Sequence, residues 1–365
     1  MRRIPCTVMR SGTSSGPYFL ASDLPSWPDE REQLDAVLLH VMGSPDPRQI
    51  DGLGGGSSVT SKVAIVGPST LEDVDVDYLF AQVSIDEPVV DWNPTCGNIL
   101  SGVGAFAIER GIVEACHGET TVSVRAVNTG ALADLLIQTP NGEVIYEGDT
   151  AIAGVPGTAA PVEVTFRSLR SAVAPTTFPL GKTNRLPSGL VVSCVDAVMP
   201  CVMARASDFD ITGHESPAEL GSMPGLIDRI QAARVEAGGL MGISDVADSV
   251  IPKFVLLAAP SGPERHLTVR YFTPMTCHPA MAVSGGICVS IAAVQPGTVA
   301  HELSTIDGTP PDTVALDHPT GVLEVRLDLV EGSAATVESA TLVRTVRPLI
   351  DGEVTIPVTS SAPSP

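Results

Sequence analysis

Two segments of this 365-residue chain are spaced like helices yet are small or apolar on every face. One spans residues 97–110 and begins Gly97-Asn98-Ile99-Leu100-Ser101-Gly102-Val103-Gly104; the other spans 282–291, from Ala282-Val283-Ser284-Gly285 to Ile291. A helix without a polar face has to be enclosed by other structure. Strand-like runs surround each. They fall at 6–10, 17–21, 62–66, 78–85, 121–127, 144–147 and 162–166 around the first, and at 190–198, 254–258, 267–272, 321–329 and 340–346 around the second. Gly, Pro, Asn and Asp clusters separate them. Surface helices fit 29–42, closed by Gly43, and 224–237, with Gly238-Gly239 as its stop. The 34 glycines and 31 prolines, set against only 17% charged residues, favour short strands and tight turns over long helices. The predicted architecture is therefore a duplicated α+β fold, each half a set of strands around one buried helix. The Ser-, Thr-, Pro- and Ala-rich stretch 168–187 reads as a linker between domains 1–185 and 186–346, with a last strand at about 347–360 expected to return to the first domain.

Acidic residues outnumber basic ones 42 to 21, a net charge of −21. Nucleic-acid binding needs clustered Lys and Arg, and no such stripe is present. Nucleic acid and anionic membrane are excluded as partners on this ground. The N-terminal Met1-Arg2-Arg3-Ile4-Pro5-Cys6 lacks the apolar core of a signal peptide. No run approaches the roughly 18 uninterrupted apolar residues of a membrane helix. Seven scattered cysteines do not form a disulfide framework. A cytoplasmic protein is expected.

Several motifs resemble known chemistry and fail on context. Gly52-Leu53-Gly54-Gly55-Gly56-Ser57 is followed by a strand beginning near Lys62, where a dinucleotide fingerprint needs a helix. Gly12-Thr13-Ser14-Ser15-Gly16 has the spacing of a hydrolase elbow but leads into another strand. Cys277-His278 and the Cys194/Cys201 pair lack zinc-site spacing, so no metal is expected. Two features remain. Cys96-Gly97-Asn98 puts a thiol at the start of the first enclosed helix, where unpaired N–H groups favour anions and thiolates. The chain also has only three lysines, Lys62, Lys182 and Lys253, against 18 arginines. A chain that avoids lysine still needs one wherever an amine must lose its proton, because arginine cannot.

With these residues in view, the chain resembles the PrpF-like isomerases of the diaminopimelate-epimerase-like superfamily. That branch includes 2-methylaconitate isomerase, methylitaconate isomerase and 4-oxalomesaconate tautomerase. The likeness runs in one order through Met9-Arg10-Ser11-Gly12-Thr13-Ser14, Gln49-Ile50-Asp51-Gly52-Leu53-Gly54-Gly55, Thr60-Ser61-Lys62-Val63 and Cys96-Gly97-Asn98. It continues through Gly154-Val155-Pro156-Gly157-Thr158, Met241-Gly242-Ile243 and His278-Pro279-Ala280-Met281-Ala282-Val283-Ser284-Gly285. Two-thiol racemases of the superfamily carry a second Cys where this chain has Val283, so the resemblance implies Lys62 and Cys96 as the acid/base pair. The family commonly has Thr-Ser-Lys-Gly at the first turn, with Gly at position 11; here Ser15 replaces that Lys and Ser11 that Gly.

The resemblance implies a cofactor-free isomerase or tautomerase that moves a C=C bond by 1,3-proton transfer in an unsaturated di- or tricarboxylic acid. 4-Oxalomesaconate leads, followed by aconitate, 2-methylaconitate and methylitaconate. A biosynthetic tailoring isomerase and a non-catalytic acid-binding protein are the alternatives. Which of Lys62 and Cys96 begins as base stays open, as does Lys62 as a fixed cation for a carboxylate. Donors for the enolate and carboxylates are expected from the backbone of Gly54, Gly55, Gly56 and Ser57, of Gly97 and Asn98, of Ser284, Gly285 and Gly286, and from the turn Ser11, Gly12, Thr13 and Ser14. His278 is either a carboxylate ligand or a buried structural histidine. A homodimer is the candidate assembly.

Overall fold

Alternating burial turns most of the chain into strands. The computed structural model describes residues 1–167, 169, 173, 176–247, 249–273, 275–330 and 336–358. Its elements run β1 Arg2–Ser11, β2 Ser14–Leu20, α1 Arg31–Met42, β3 Lys62–Pro68, β4 Val76–Val83, β5 Val90–Asp91, α2 Gly97–Leu100, α3 Val103–Glu109, β6 Gly118–Ala126, β7 Leu132–Thr139 and β8 Pro161–Phe166. There follow β9 Asn184–Arg185, β10 Val191–Asp196, β11 Pro200–Arg205, α4 Pro217–Ser222, α5 Leu226–Leu240, β12 Lys253–Ala258, β13 Leu267–Phe272, α6 Val283–Ala293, α7 Val299–Leu303, β14 Thr313–His318, β15 Gly321–Leu329 and β16 Val337–Ile356. The chain divides into two units, Met1–Val164 with Val343–Pro365, and Thr165–Leu342. These breaks lie at 164/165 and 342/343, where the sequence pattern placed them at 185/186 and 346/347. Residues 168, 170–172 and 174–175 of the expected linker, and 359–360 of the expected last strand, lie outside the described residues.

In the first unit the strand order is β1-β2-β3-β4-β6-β7-β8-β16, and β16 pairs back onto β1, closing a ring of eight. Neighbours alternate in sense: β1–β2 antiparallel, β2–β3 parallel, β3–β4 antiparallel, β4–β6 parallel and β6–β7 antiparallel. One face of these strands, with Phe19, Val63, Ile65, Leu79 and Ala81, packs on Leu34, Leu38, Leu39 and Met42 of α1. Burying each such side chain contributes roughly 1.5–3 kcal/mol. Helix α1 ends at Gly43 in a left-handed conformation (φ 74°), with Ser44 N–H returning to the Leu39 carbonyl at 2.9 Å. The other face meets α2 and α3, which together touch β1, β2, β3, β6 and β7.

The expected helix over 97–110 is a single helical path tightened in the middle. Ser101 and Gly102 keep right-handed backbone but shift to three-residue bonds, Gly102 N–H to the Ile99 carbonyl at 3.1 Å, before Phe106 N–H resumes the α pattern on Gly102. The tightening occurs where strands crowd the helix. A Cβ on Gly102 would stand 2.4 Å from Ser11 Oγ and 2.6 Å from Tyr18 Oη.

The second unit repeats the alternation: β10–β11 antiparallel, β11–β12 parallel, β12–β13 antiparallel, β13–β14 parallel and β14–β15 antiparallel. Helix α6 is buried along its whole length and touches β10, β11, β14 and β15. Two local expectations need correction. Residues 144–147 are not a strand; they make isolated bonds to Gln138 and Ala160 after the turn at Gly142. Gly238-Gly239 does not stop α5, which runs on to Leu240. Gly238 is there for packing, since a Cβ would lie 2.8 Å from Val246 and 2.9 Å from Pro252.

A pair of glycine replacements separates packing from backbone entropy. Gly102→Ala should cost about 1–3 kcal/mol by overpacking. Gly221→Ala in α4, where nothing lies within 4 Å, should be neutral or stabilising by roughly 0.5–1 kcal/mol. Urea denaturation midpoints read both, and equal midpoints for the two variants would refute the crowding at Gly102.

Candidate active site

Lys62 opens β3, opposite Gln82 on β4. Its Nζ donates to Gln82 Oε1 at 2.6 Å and stands 5.0 Å from the centre of the Phe80 ring. Gln82 is itself fixed, its Nε2 donating to the Ser61 carbonyl at 2.8 Å and the Ser58 carbonyl at 3.3 Å. Behind Lys62, strand β2 approaches so closely that a Cβ on Gly16 would fall 1.9 Å from the Lys62 carbonyl oxygen. The amine is thus held by one neutral acceptor and a ring face. Burial lowers its pKa from the ordinary lysine value, and the electrostatic influence of Cys96 acts the other way. The two groups therefore lie within electrostatic reach of each other.

Cys96 is half-buried and caps the start of α2 from extended backbone (φ −131°, ψ 106°). Its carbonyl accepts from Leu100 N–H at 2.8 Å and from Tyr78 Oη at 3.3 Å. Two fully buried tyrosines flank it. Tyr78 and Tyr18 are both held neutral, chiefly by burial and further by the Cys96 charge. Tyr18 Oη sits 2.5 Å from the Ile99 carbonyl and 2.8 Å from Ser11 Oγ. These tyrosines shape the environment of Cys96 together with the start of the helical path it caps.

The β1–β2 turn is locked against the start of α2. Gly12 has φ +53°, and a Cβ there would lie 2.1 Å from Asn98 Oδ1. The Asn98 amide takes Thr13 N–H at 3.4 Å and gives to Thr13 Oγ1 at 3.1 Å, so it braces the turn. Ser11, Gly12, Thr13, Ser14, Lys62, Cys96, Gly97 and Asn98 all belong to the first unit. Tyr18, Tyr78, Phe80 and Gln82 join them without any sequence signal beyond strand periodicity.

Several expected donors are already used. Gly12 N–H goes to the Thr345 carbonyl at 3.0 Å. Gly54, Gly55 and Gly56 donate to the Met42 carbonyl at 3.3 Å, the Thr60 carbonyl at 3.3 Å and Gln49 Oε1 at 2.9 Å. Ser57 Oγ pairs with Thr60 Oγ1 at 2.9 Å. The expectation that the three glycine amides present themselves to substrate is corrected accordingly: they hold their own loop.

The remaining candidates lie in the second unit. His278 is buried, its N–H on the Tyr271 carbonyl at 2.7 Å and its Nδ1 accepting from Ala280 N–H at 3.0 Å. Gly285 and Gly286 admit Tyr271 and Leu323, since a Cβ would come within 2.2 Å of the Tyr271 ring and 2.4 Å of Leu323. Ser284 is buried beside them. Burial pushes the neighbouring Cys277 thiol up to about 12. Among the described residues no three His, Cys, Asp or Glu side chains come together as a metal site, and no helix is long and apolar enough to cross a membrane.

A closed ring of mixed strands carries a desolvated lysine within electrostatic reach of a cysteine. Comparison with known proteins gives the family. The PrpF protein family matches residues 1–357. The chain is 44% identical over 354 residues to a 4-oxalomesaconate tautomerase of Pseudomonas putida, covering 97% of this chain and 96% of that one. It is 43% identical over 354 residues to a (4E)-oxalomesaconate Delta-isomerase of Novosphingobium sp. strain KA1, covering 97% and 98%. Among solved structures, methylitaconate-delta-isomerase superposes with a TM-score of 0.78 at 35% identity over 97% of this chain and 96% of that one. The chain belongs to the PrpF family and is an isomerase.

The neutral partner of Lys62 offers a direct test. Gln82→Glu replaces an amide oxygen by a carboxylate, which favours the charged amine and should move the Lys62 titration to higher pH. With only three lysines in the chain, side-chain NMR of labelled lysine, assigned with Lys62→Arg, follows it. An unchanged titration would show that Gln82 does not hold the amine.

Proposed function

We propose that this isomerase shifts a C=C bond by 1,3-proton transfer in an unsaturated di- or tricarboxylic acid, with Lys62 and Cys96 as the acid/base pair and 4-oxalomesaconate as the leading substrate. The observation that carries the reading is the half-buried Lys62 amine, held by the neutral Gln82 Oε1 at 2.6 Å, lowered in pKa by desolvation and within electrostatic reach of Cys96. An ordinary lysine is a poor base at neutral pH; a desolvated one approaches the useful range.

In an acid whose C=C is conjugated to carboxylate or ketone, the allylic C–H is acidic because its electron pair spreads into a dienolate. With Lys62 as base, the neutral amine takes that proton and becomes ammonium. The electron pair forms the new C=C and the old π pair moves onto the conjugated oxygen. As it returns, Cys96 delivers its thiol proton to the far carbon and is left as thiolate. The site then holds an ammonium and a thiolate, and one proton passing from nitrogen to sulfur restores it. The roles reverse if Cys96 begins as thiolate. No electrons leave the substrate in either direction.

The substrate assignment draws on the two oxalomesaconate relatives. The methylitaconate-delta-isomerase likeness makes methylitaconate the next acid to try. Ser15, where the resembled family carries lysine, favours a second reading in which a biosynthetic acid with fewer charges is the substrate.

Incubation in D₂O with a panel of these acids, followed by NMR, reads double-bond migration and the labelled carbon together. Lys62→Arg and Cys96→Ala should each lower turnover by about 10²–10⁴-fold, the usual worth of a positioned acid or base. Folded variants that keep full activity would remove the mechanism. With Lys62 as base, activity of the unaltered enzyme should climb with pH as the ammonium deprotonates. The midpoint of that limb should lie below the ordinary lysine value of about 10.4.

A further inference from the structure

Arg344 lies on β16, two residues before Val346, the partner of Ser11 in the last β1–β16 pair. It is 6% exposed. Its Nη1 donates to the Val343 carbonyl at 2.7 Å, and its Nε is buried with no partner. A guanidinium in that state is costly, because desolvation is offset only by a counter-charge or by saturated hydrogen bonds. Burial lowers its pKa to about 10, and no carboxylate among the described residues is found to act on it.

Its location gives the orphaned nitrogen meaning. The point where a Cβ would stand on Gly12 is 3.1 Å from Arg344 Cδ and 2.1 Å from Asn98 Oδ1. Arg344 therefore flanks the braced turn on the side of Asn98, which follows Cys96 by two residues. Two more buried polar atoms without partners belong to residues of the candidate site's own segments: Ser14 Oγ in the turn and Thr95 Oγ1 on the residue before Cys96. Of five such side-chain atoms among the described residues, three are on β16, the turn and this segment. All three can donate, and none has an internal acceptor.

We propose that Arg344 is a carboxylate-binding, specificity-determining residue of this site, with the Ser14 and Thr95 hydroxyls donating to the same anionic end of the substrate. The inference rests on the reading of the substrate as a carboxylic acid. A planar guanidinium presents parallel N–H donors that match the two oxygens of a carboxylate. Unlike Arg10, whose Nη1 is spent on Thr345 Oγ1 at 2.8 Å, it keeps a buried nitrogen without a partner beside this turn.

The test separates binding from chemistry. Tricarballylate, a saturated tricarboxylate that cannot shift a double bond, is titrated calorimetrically into the wild type, Arg344→Gln, Arg344→Lys and Thr95→Val, with 4-oxalomesaconate and methylitaconate kinetics alongside. Arg344→Gln should weaken tricarballylate and raise KM by about 10²-fold, the scale of a lost buried charge contact, with kcat changed far less. Arg344→Lys should recover part of that loss, as a point charge without the fork. Thr95→Val, isosteric and uncharged, should weaken binding by about tenfold, the worth of one lost buried hydrogen bond, and keeps the proposal testable if the arginine variants do not fold. Arg344→Gln and Thr95→Val that bind and turn over like the wild type would overturn the proposal while leaving the isomerase reading intact. Wild type that binds tricarballylate through Arg344 yet isomerises none of the acids would overturn that reading and support this one.

Discussion

Enclosure of the α2–α3 path governs the rest of the first unit. A helical stretch with no polar face has to be surrounded, and the surrounding strands come so near that Gly12, Gly16 and Gly102 have no room for a Cβ. That closeness dries the mouth of the helix. Every polar group left there has to find a partner inside the protein or in a ligand, because water does not pay the difference. Tyr18, Ser11, Asn98 and Thr13 satisfy one another across the β1–β2 turn. Lys62 and Arg344 cannot be neutralised in the same way, and the chemistry of the site follows from that.

Following each donor to its acceptor divides the candidate site into scaffold and reactive surface. The glycine-rich loop looked from its composition like an anion cradle, yet its amides close onto Met42, Thr60 and Gln49. The loop instead sets Ser61 and the strand start that carries Lys62, since Gln49 Nε2 also reaches Ser61 Oγ at 2.7 Å. Asn98, beside the thiol, spends its side chain on the turn. The buried donors still without acceptors are hydroxyls and a guanidinium, which reverses the weight that backbone amides carry when only the motif is considered.

Much of this was legible in the chain itself. The period of the hydrophobic pattern exposes the two enclosed helices, and Lys62 and Cys96 stand out through lysine scarcity and motif order. Strand β7 escaped, although Ala133, Leu135, Ile137 and Thr139 alternate into the core, because Asp134 and Gln138 interrupt the apolar impression. Gly238-Gly239 misled for a physical reason: glycine serves close packing as well as helix termination, and only the neighbours Val246 and Pro252 tell the two apart. Arg344 was invisible for a different reason. Nothing in Val343-Arg344-Thr345 distinguishes a buried arginine from a surface one, because its isolation comes from elements far away in sequence.

The choice of cation at each position also has a physical cause. Eighteen of the chain's 21 strong cations are arginines, so a lysine at position 62 is not a default. Desolvation next to a neutral amide lets an amine exchange a proton, a task closed to guanidinium at any accessible pH. At position 344 the proposed role makes the opposite demand: a charge that survives burial and offers two parallel donors to an incoming carboxylate. Burial lowers the pKa of both groups, but from starting values so far apart that the outcomes differ in kind. The amine moves toward neutrality while the guanidinium, at about 10, remains a cation at neutral pH. On the proposed reading, the same unit thus holds a mobile proton at position 62 and a fixed charge at position 344, and exchanging the two residue types would abolish both roles without changing the count of basic side chains.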